Sequence, residues 1–503
     1  MRVFILIVSF LGLLILQFSC GNFETDESLA ERSCGGCHLA PTPDMLDKTT
    51  WEESILPRMG AWLGVESKEI LIKDMAGNSS YGRNGAEDLI PVKPMISEAK
   101  WEKIKRYYID NSPQILKAES QPKLFKDLED LFEIEPISMD QAFQGASNTL
   151  IHFDAKSNRI YVGRRNGRLM VYDGGFNKID SSMFTSSPAD LTVKDNGDVE
   201  VLLTGEIRPN NEPLGVLEKW QSNGQKKSLV HGLFRPVNFL EYDFDGDGLQ
   251  DYVICNFGFH VGKLSWYKAL PNGDFEEKLL MPLAGAIQVK IEDYDQDGLM
   301  DIIALFSQGN ESVFGFKNLG KGQFKPDQWI QLPPVYGTTA FEWFDFDNDG
   351  NKDIVIANGD NADYSLIEKP YHGVRLFKNE GNFNFKEVKF VPLKGAAGLE
   401  LADFDLDGKK DLAVIANFAA FKESPQRGFV VLKNIGNFEF EPFLSAKTDS
   451  GRYLVFEQGD FDQDGDVDIL LGSHLVPLMV EREQLQKWAK GGVDLILLKN
   501  RAK

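Results

Sequence analysis

The stretch Asp243-Phe244-Asp245-Gly246-Asp247-Gly248-Leu249-Gln250-Asp251 decides how this sequence folds, because the same pattern recurs four more times. The steps between successive copies are 50, 52, 58 and 57 residues, and the later copies begin at Asp293, Asp345, Asp403 and Asp460. Each copy runs directly into an apolar, β-branched stretch that is typical of a strand. A repeat of this length predicts a β-propeller or a solenoid.

Each copy places aspartates at positions 1, 3, 5 and 9 and a glycine at position 6. Such alternation turns hard oxygen ligands inward around a Ca²⁺ ion, with the backbone carbonyl of position 7 as a further ligand. The alternative is a set of polar turns without metal, but twenty aspartates this close would repel one another without cations. We therefore expect about five Ca²⁺ ions, one in each loop. The candidate ligands are Asp243, Asp245, Asp247, Leu249, Asp251, Asp293, Asp295, Asp297, Leu299, Asp301, Asp345, Asp347, Asp349, Asn351, Asp353, Asp403, Asp405, Asp407, Lys409, Asp411, Asp460, Asp462, Asp464, Asp466 and Asp468.

These loops differ from EF-hands, which need a bidentate glutamate at position 12. The residues at that position are Ile254, Ala304, Ile356, Val414 and Leu471. The loops resemble the FG-GAP/VCBS repeats of integrin-like β-propellers, and the resemblance covers residues 240–503. Strands ending in Lys-Asn recur, as in Phe316-Lys317-Asn318, and two repeats without the aspartates begin near Gln144 and Asp190. Together these predict seven blades closed into a ring.

Ser33-Cys34-Gly35-Gly36-Cys37-His38 contains the C-x-x-C-H pattern of covalent c-type haem attachment. Two thiols one helical turn apart reach the two vinyl groups of a porphyrin, and the next histidine ligates the iron. A thioredoxin-like redox pair would require a βαβ pattern, which is not visible here. We expect one covalent haem c held by Cys34, Cys37 and His38, with a chance disulfide as the remaining alternative.

The residues around this motif predict a small helical unit. Trp51, Ile55, Met59 and Leu63 share one helical face, and Ser97 is placed to cap a closing helix. With the haem motif first and the closing helix last, the first hundred residues resemble a class I-type cytochrome c. The sixth iron ligand is expected to be a methionine: Met59 is favoured, Met95 is the alternative, Met75 is a third candidate, and an open iron also fits.

The N-terminus has the pattern of an export signal, with Arg2 followed by an apolar run too short for a comfortable membrane span. Ser19-Cys20 resembles a bacterial lipoprotein cleavage site, although Gln17 stands where a leucine is usual. The alternative is an ordinary cleaved signal with an incidental cysteine. We expect an exported protein, anchored through a lipid on Cys20 in the periplasm or at the cell surface, with Cys255 buried in a core strand.

The expected fold class is therefore multidomain, with a small all-α cytochrome c domain followed by an all-β, seven-bladed β-propeller. The expected bounds are a signal peptide over 1–19, a cytochrome c domain over 20–113, a linker over 114–138 and the propeller over 139–503.

The connections between the second and third strands vary in length, which favours a binding face. His260, His372 and His474 lie there, accompanied by aromatic residues. These are Phe257, Phe259, Tyr364, Tyr371, Phe418 and Phe421. A second metal site or a pocket is one hypothesis, and ordinary loop histidines are the alternative.

The formal net charge of −22 argues against a nucleic-acid partner. No catalytic motif stands out, so an enzyme is the less favoured class. The main functional prediction is an electron-transfer lipoprotein whose propeller docks a redox partner or an extracellular ligand. The alternatives are an adhesion, carbohydrate- or protein-binding module with an accessory haem, and a periplasmic redox or carbohydrate-active enzyme with its site on the propeller face.

Overall fold

A computed structural model describes six ranges of the chain: 25–76, 90–117, 125–138, 146–360, 367–491 and 493–502. The expected signal peptide and Cys20 lie outside these ranges. Among the described residues, no helix is both long and apolar enough to cross a bilayer.

Helices dominate the N-terminal part, which we call the helical unit (described residues 25–117). Its described helices are α1 (Asp26–Cys34), α2 (Lys48–Thr50), α3 (Leu56–Trp62), α4 (Glu69–Ala76) and α5 (Glu98–Asn111). Another helix, α6 (Arg482–Gly491), lies in the C-terminal part of the chain. A π-helical turn, Trp51–Ile55, joins α2 to α3. Short 3₁₀ turns lie at Pro43–Met45, Leu128–Asp130, Pro425–Gly428 and Ala446–Thr448.

Side-chain caps and an aromatic core hold the helical unit together. The side chains of Thr25, Asp47 and Ser97 each accept a backbone N–H in the first turn of a helix, which satisfies a donor that the helix itself leaves free. Trp51 and Tyr108 are buried with ring centroids 4.4 Å apart. Ser97 therefore caps the closing helix α5, as the sequence predicted.

The remaining chain forms a seven-bladed β-propeller, as the sequence predicted. Before the first blade lie β1 (Lys126–Asp127) and β2 (Phe132–Ile137). Blade 1 has β3 (Asn148–Asp154), β4 (Arg159–Arg164), β5 (Arg168–Asp173) and β6 (Lys178–Met183). Blade 2 has β7 (Pro188–Val193), β8 (Val199–Leu203), β9 (Gly215–Trp220) and β10 (Lys226–Leu233). Blade 3 has β11 (Pro236–Tyr242), β12 (Asp251–Asn256), β13 (Lys263–Ala269) and β14 (Phe275–Met281).

The later blades continue the same order. Blade 4 has β15 (Ala286–Glu292), β16 (Asp301–Phe306), β17 (Ser312–Asn318) and β18 (Phe324–Gln331). Blade 5 has β19 (Thr338–Phe344), β20 (Asp353–Asn358), β21 (Gly373–Asn379) and β22 (Phe385–Pro392). Blade 6 has β23 (Ala396–Ala402), β24 (Asp411–Ala416), β25 (Phe429–Gly436) and β26 (Glu439–Leu444). Blade 7 has β27 (Tyr453–Gly459), β28 (Asp468–Ser473) and β29 (Leu495–Asn500).

The ring is closed by the chain that precedes it. Strand β2 pairs antiparallel with β29 and supplies the fourth strand of blade 7, while β1 pairs in parallel with β26 of blade 6. Part of the segment expected to be a linker, 114–138, therefore belongs to the propeller. Blades 6 and 7 are thus each extended by a strand from the chain that precedes blade 1. This pairing covers outer strand edges that would otherwise be exposed.

Each blade contacts the next through its innermost strand. Each innermost strand pairs with only one neighbour in its own sheet, so some of its backbone N–H groups are not bonded within that sheet. The preceding blade supplies the missing acceptor in several places: Asn238 Oδ1 accepts from Val289 N at 2.9 Å, and Gln288 Oε1 accepts from Phe341 N at 2.8 Å. These bonds fix the rotation between neighbouring blades.

The antiparallel order places the loops on two opposite faces. The aspartate loops join the first to the second strand of blades 3–7, so all five lie on one face, which we call the aspartate-loop face. The connections between second and third strands, and those between blades, lie on the other face. The helical unit packs on this second face.

Candidate functional site

The aspartate loops bring carboxylates together as the spacing predicted. In each of the five loops, three carboxylate oxygens lie within 4.8 Å of one another. The clusters are Asp243/Asp245/Asp251, Asp293/Asp295/Asp297, Asp345/Asp347/Asp353, Asp403/Asp405/Asp411 and Asp460/Asp462/Asp464. Position 9 thus joins the cluster in three loops and position 5 in the other two.

The oxygens inside the loops suit a hard cation. At position 1, Asp345 accepts from the backbone N–H of Asp349 and Gly350 at 3.1 and 2.9 Å, which fixes its carboxylate against the loop. At position 3, one oxygen of Asp347 is buried and has no hydrogen-bond partner, and Asp245 and Asp295 share this feature. A buried carboxylate oxygen without a donor is costly, so this donor set fits Ca²⁺.

Two residues in each loop have left-handed backbone conformations. Position 6 is always glycine, and at Gly350 the φ angle is +89°. No other atom lies within 4 Å of where its Cβ would be, so the backbone conformation, rather than lack of space, requires glycine there. Position 4 is also left-handed, with φ of +57° at Leu406. This second turn was not evident from the sequence, because its residue type varies from loop to loop.

The aspartate at position 9 has a structural role that the sequence did not predict. Asp353 is fully buried, and its two oxygens accept from Phe346 N at 3.0 Å and from Asn379 N at 2.9 Å. Burial raises the pKa of Asp353 to about 6. This carboxylate therefore ties the start of the loop to the end of the third strand, whether or not it also binds a metal ion.

The recurring Lys-Asn strand ends are part of the same construction. Asn379 donates from Nδ2 to the carbonyl of Lys352 at 3.2 Å, and its Oδ1 accepts from Gly381 N at 3.0 Å. Lys378 forms ion pairs with Asp347 and, at 3.0 Å, with Asp349. The sequence identified these dipeptides only as strand ends; their recurrence once after each aspartate loop was the available signal.

The C-x-x-C-H residues lie where α1 ends. Cys34 is the last residue of α1 and is half-buried, Cys37 is exposed, and both thiols are free. Burial raises the pKa of the Cys34 thiol. His38 Nδ1 lies 2.9 Å from the carbonyl oxygen of Leu39, which requires a proton on Nδ1 and leaves the Nε2 lone pair available. Two free thiols and an imidazole oriented in this way fit a covalent haem.

The candidate sixth ligands have different surroundings. Met59 is half-buried and packs against the core cluster that also contacts Cys34. Met95 is 63% exposed, and its backbone N–H donates to the carbonyl of Leu63 at 2.9 Å. The side chain of Met75 lies outside the described residues. Met59 therefore shares a hydrophobic cluster with Cys34, and Met95 is not among the described residues of that cluster.

The C-x-x-C-H motif lies at the seam between the helical unit and the propeller. His38 Cδ2 lies 3.9 Å from the position that a Cβ on Gly309 would occupy, in the connection of blade 4. Tyr371 of blade 5 donates to the carbonyl of Met45 at 2.9 Å, and Val335 is buried in the core of the helical unit. The two parts thus share a hydrophobic cluster beside the proposed iron ligand.

The three histidines expected on the binding face lie in three different blades. The His260 ring lies tilted against Trp62 of the helical unit with centroids 5.3 Å apart, and His474 Nδ1 lies 3.0 Å from the carbonyl of Asn148. His372 is 6% exposed, and burial followed by the nearby cations Lys369 and Arg375 lowers its pKa well below the usual value. In the described part of the chain, no metal-capable group of three or more includes them.

The accompanying aromatic residues have structural contacts. Arg235 lies over the ring of Phe257 at 5.0 Å, and Arg452 lies over Phe418 at 4.9 Å and Phe421 at 6.0 Å. Phe259 is buried, Tyr371 belongs to the seam, and Tyr364 lies outside the described residues. Two of the histidines pack on the aromatic residue next to them, His260 on Phe259 with ring centroids 4.0 Å apart and His372 on Tyr371 at 5.8 Å.

Comparison with protein families supports the repeat assignment. A model of the FG-GAP-like repeat matches residues 243–304 and 293–356, the loops and strands of blades 3 to 5. The chain therefore contains FG-GAP-like repeats. No curated protein matches the sequence.

Solved propellers resemble the chain at low identity. The Neurospora crassa Pan2 WD40 domain is 13% identical, with a TM-score of 0.47, over 76% of this chain and 98% of that one. Streptogramin B lyase is 12% identical, with a TM-score of 0.45, over 74% and 99%. The N-terminal domain of Nup159 is 9% identical, with a TM-score of 0.45, over 76% and 99%.

Proposed function

We propose that this chain is an exported electron-transfer protein, in which the helical unit carries one covalent haem c and a calcium-loaded propeller recognises the partner. The observation that carries the proposal is the orientation of His38, whose Nδ1 is held by the Leu39 carbonyl and which directly follows two free cysteines in the chain. When bound, the haem would supply one-electron chemistry.

The residues around the motif have distinct roles in this proposal. Cys34 and Cys37 would form the two thioether bonds, and His38 Nε2 would ligate the iron. Met59 is the preferred sixth ligand, because it packs near Cys34 in the same cluster. A thioether ligand favours the reduced iron and raises the potential, which suits electron transfer more than catalysis.

Calcium has a structural role in the proposal. About five Ca²⁺ ions would compensate the carboxylates that cluster on the aspartate-loop face. Each ion would hold together the carboxylates of the loop between the first two strands of a blade. That loop is also hydrogen-bonded to the third strand through the aspartate at position 9. Calcium binding therefore contributes to the folding free energy of the propeller rather than to electron transfer.

The partner is proposed to be a redox protein with a basic surface. The formal net charge of −22 attracts a positively charged protein and steers its approach, and it disfavours nucleic acid. We place the protein in the periplasm or at the cell surface, anchored by a lipid on Cys20. Incorporation of labelled palmitate into wild type, and not into the Cys20→Ala variant, tests the anchor.

A second candidate function is a ligand-binding module to which the haem is accessory. The observation that favours it is the length of the connections in blades 6 and 7, over 417–428 and 474–494, the latter containing α6. Extended loops on one face of a repeat fold build binding surfaces. A protein or glycan that binds the haem-free chain as tightly as the holoprotein would favour this candidate over electron transfer.

Cysteine variants test the haem proposal. In a host that attaches haem c, the Cys34→Ser/Cys37→Ser protein should contain no covalent haem. The matched control is Cys255→Ser, since Cys255 is fully buried in β12, far along the chain from the motif. That variant should keep one haem per chain by pyridine haemochrome assay. Wild type without covalent haem under these conditions would refute the proposal.

A further inference from the structure

The aspartate loop of blade 7, Asp460–Asp468, differs from the other four. In blades 3–6 a lysine of the third strand pairs with the aspartate at position 3 and points toward the one at position 5. Lys268 Nζ lies 2.6 Å from Asp247, and Lys317 Nζ lies 2.9 Å from Asp297. Lys378 and Lys433 pair in the same way with Asp347 and Asp405. Each of these four loops therefore contains its own cation.

The corresponding lysine in blade 7 is held elsewhere. Lys499 Nζ lies 3.1 Å from Glu135, on the strand β2 that closes the ring. The register of the two strands places Lys499 opposite Glu133, so this ion pair crosses the seam of closure. Among the described residues, Lys499 consequently forms no salt bridge with the blade 7 loop, and only a longer-range attraction to Asp462 remains.

The blade 7 loop also has a fifth carboxylate. Position 7 is Asp466 there, whereas the other loops have Leu249, Leu299, Asn351 and Lys409. Asp466 is 6% exposed, and its Oδ1 is buried without a hydrogen-bond partner. Its carboxyl group interacts electrostatically with Asp464, Asp468 and Asp462, and the oxygens of Asp460, Asp462 and Asp464 lie within 4.8 Å of one another. A buried carboxylate oxygen that has no hydrogen-bond partner and belongs to a loop of carboxylates points to a bound cation.

We infer that the blade 7 loop is the tightest of the proposed calcium sites and that its occupancy is coupled to closure of the propeller ring. The inference rests on the proposed calcium role. Five carboxylates without a paired lysine attract a divalent cation more strongly than four carboxylates with one, and calcium affinity follows ligand charge. Blade 6 should be weakest, because Lys409 also pairs with Asp407 at 3.0 Å.

The link to closure is structural. Asp468 at position 9 accepts from Asn500 N at 2.8 Å, and Asn500 lies opposite Phe132 in the pairing of β29 with β2. An ion that orders the blade 7 loop therefore orders the end of β29. Strand β2 pairs only with β29 in the described structure, so the position of β2 depends on β29.

Calcium titration of the chelator-treated full chain tests the ranking. The Asp466→Asn variant should weaken the tightest site by about tenfold or more and leave the later sites unchanged. The matched control is Asp349→Asn in blade 5, which should weaken a later site only. Equal weakening of the tightest site by both variants, or none by Asp466→Asn, would overturn the ranking.

Two further variants keep the test decisive if Asp466→Asn does not fold. Lys378→Met removes the cation of the blade 5 loop and should tighten one of the later sites. Glu135→Gln releases Lys499 and should weaken the tightest site. If neither affinity changes, the charge argument is wrong. A wild-type chain that binds no calcium at millimolar concentration instead refutes the calcium role itself, and the ranking with it.

Hydrogen exchange tests the coupling to closure. At one equivalent of Ca²⁺, the β2 amides that hydrogen-bond to β29 should be protected in wild type. In Asp466→Asn they should stay in fast exchange until more calcium is added. Protection of this strand that is complete without calcium, or that appears only with the last equivalent, would contradict the coupling.

Discussion

Position 9 shows what a single residue does in these repeats. The two carboxylate oxygens of Asp353 accept hydrogen bonds from the backbone N–H groups of Phe346 and Asn379, which are distant from each other in sequence. The sequence placed an acidic residue there correctly and assigned it to calcium. It did not reveal the second donor, because the distance from position 9 to that donor differs from blade to blade. Regular spacing predicts local geometry, while long-range bonds depend on the folded sheet.

The Asp353→Ala variant should be destabilised even when calcium is absent. The substitution leaves two buried N–H groups without acceptors, which should lower the free energy of unfolding by roughly 2–4 kcal/mol. Urea unfolding in chelator measures this loss. The matched control is Asp349→Ala, because the Asp349 carboxylate is exposed, so this variant should be destabilised much less than Asp353→Ala in chelator. Similar losses for both variants would contradict the structural role of position 9.

His372 should make the protein sensitive to acid. Because burial, together with Lys369 and Arg375, lowers its pKa in the folded state, the folded chain keeps it neutral while the unfolded chain binds a proton below pH about 6.5. The free energy of unfolding should therefore be fully retained above that pH. Below it, the contribution should fall by up to about 1.4 kcal/mol per pH unit.

A substitution isolates this contribution from those of other groups. The His372→Gln variant should show a shallower loss of stability between pH 6.5 and 5 than wild type at fixed calcium. The same change at His231, which is exposed on β10, is the control and should leave the slope unchanged. An unchanged slope in His372→Gln would mean that this imidazole is protonated in the folded protein.

At the scale of elements, the repeats were predictable and the closure was not. Aspartate loops followed by apolar strands indicated the blades, and the seven sheets confirm their number. Strand β2 lacks these loops and has polar residues, so residues 114–138 were interpreted as a linker. Its partner β29 lies at the other end of the chain, and no local pattern records a pairing across that distance.

Phe132 anchors the closing strand. It is fully buried and packs against Phe404 of blade 6 with ring centroids 5.5 Å apart. The Phe132→Ala variant should lose about 3–5 kcal/mol of unfolding free energy, because a large cavity is left in the core. Leu279→Ala, at a position 57% exposed on the outer strand of blade 3, is the control. A loss below about 1 kcal/mol for Phe132→Ala would argue against closure by β2.

At the scale of the whole molecule, the helical unit and the propeller meet beside His38. The sequence predicted a helical part and a propeller, but not that His38 would lie beside the connection of blade 4 that contains Gly309. The spacing of the repeats does not show which distant segments of the chain will pack against each other. The seam also explains why Tyr371, which the sequence placed among the residues of a binding face, instead contacts Met45.

Gly309 tests whether the propeller forms a wall of the proposed haem site. A side chain there would touch His38, since the Cβ position lies 3.9 Å from Cδ2. Gly309→Leu should change the Soret circular dichroism and the midpoint potential while keeping one haem per chain. Gly491→Leu, where nothing lies within 4 Å of the Cβ position, should change neither. An unaltered Gly309→Leu spectrum would mean that the propeller does not form a wall of the haem site.

The most direct test of the account is the visible spectrum of the reduced protein, with and without carbon monoxide, after expression in a host that attaches haem c. The account predicts a c-type spectrum of one haem per chain that carbon monoxide leaves unchanged, because a methionine occupies the sixth position. A spectrum that shifts with carbon monoxide would indicate an open iron and contradict the methionine ligand. The absence of any c-type spectrum would contradict the haem assignment, and with it the electron-transfer function.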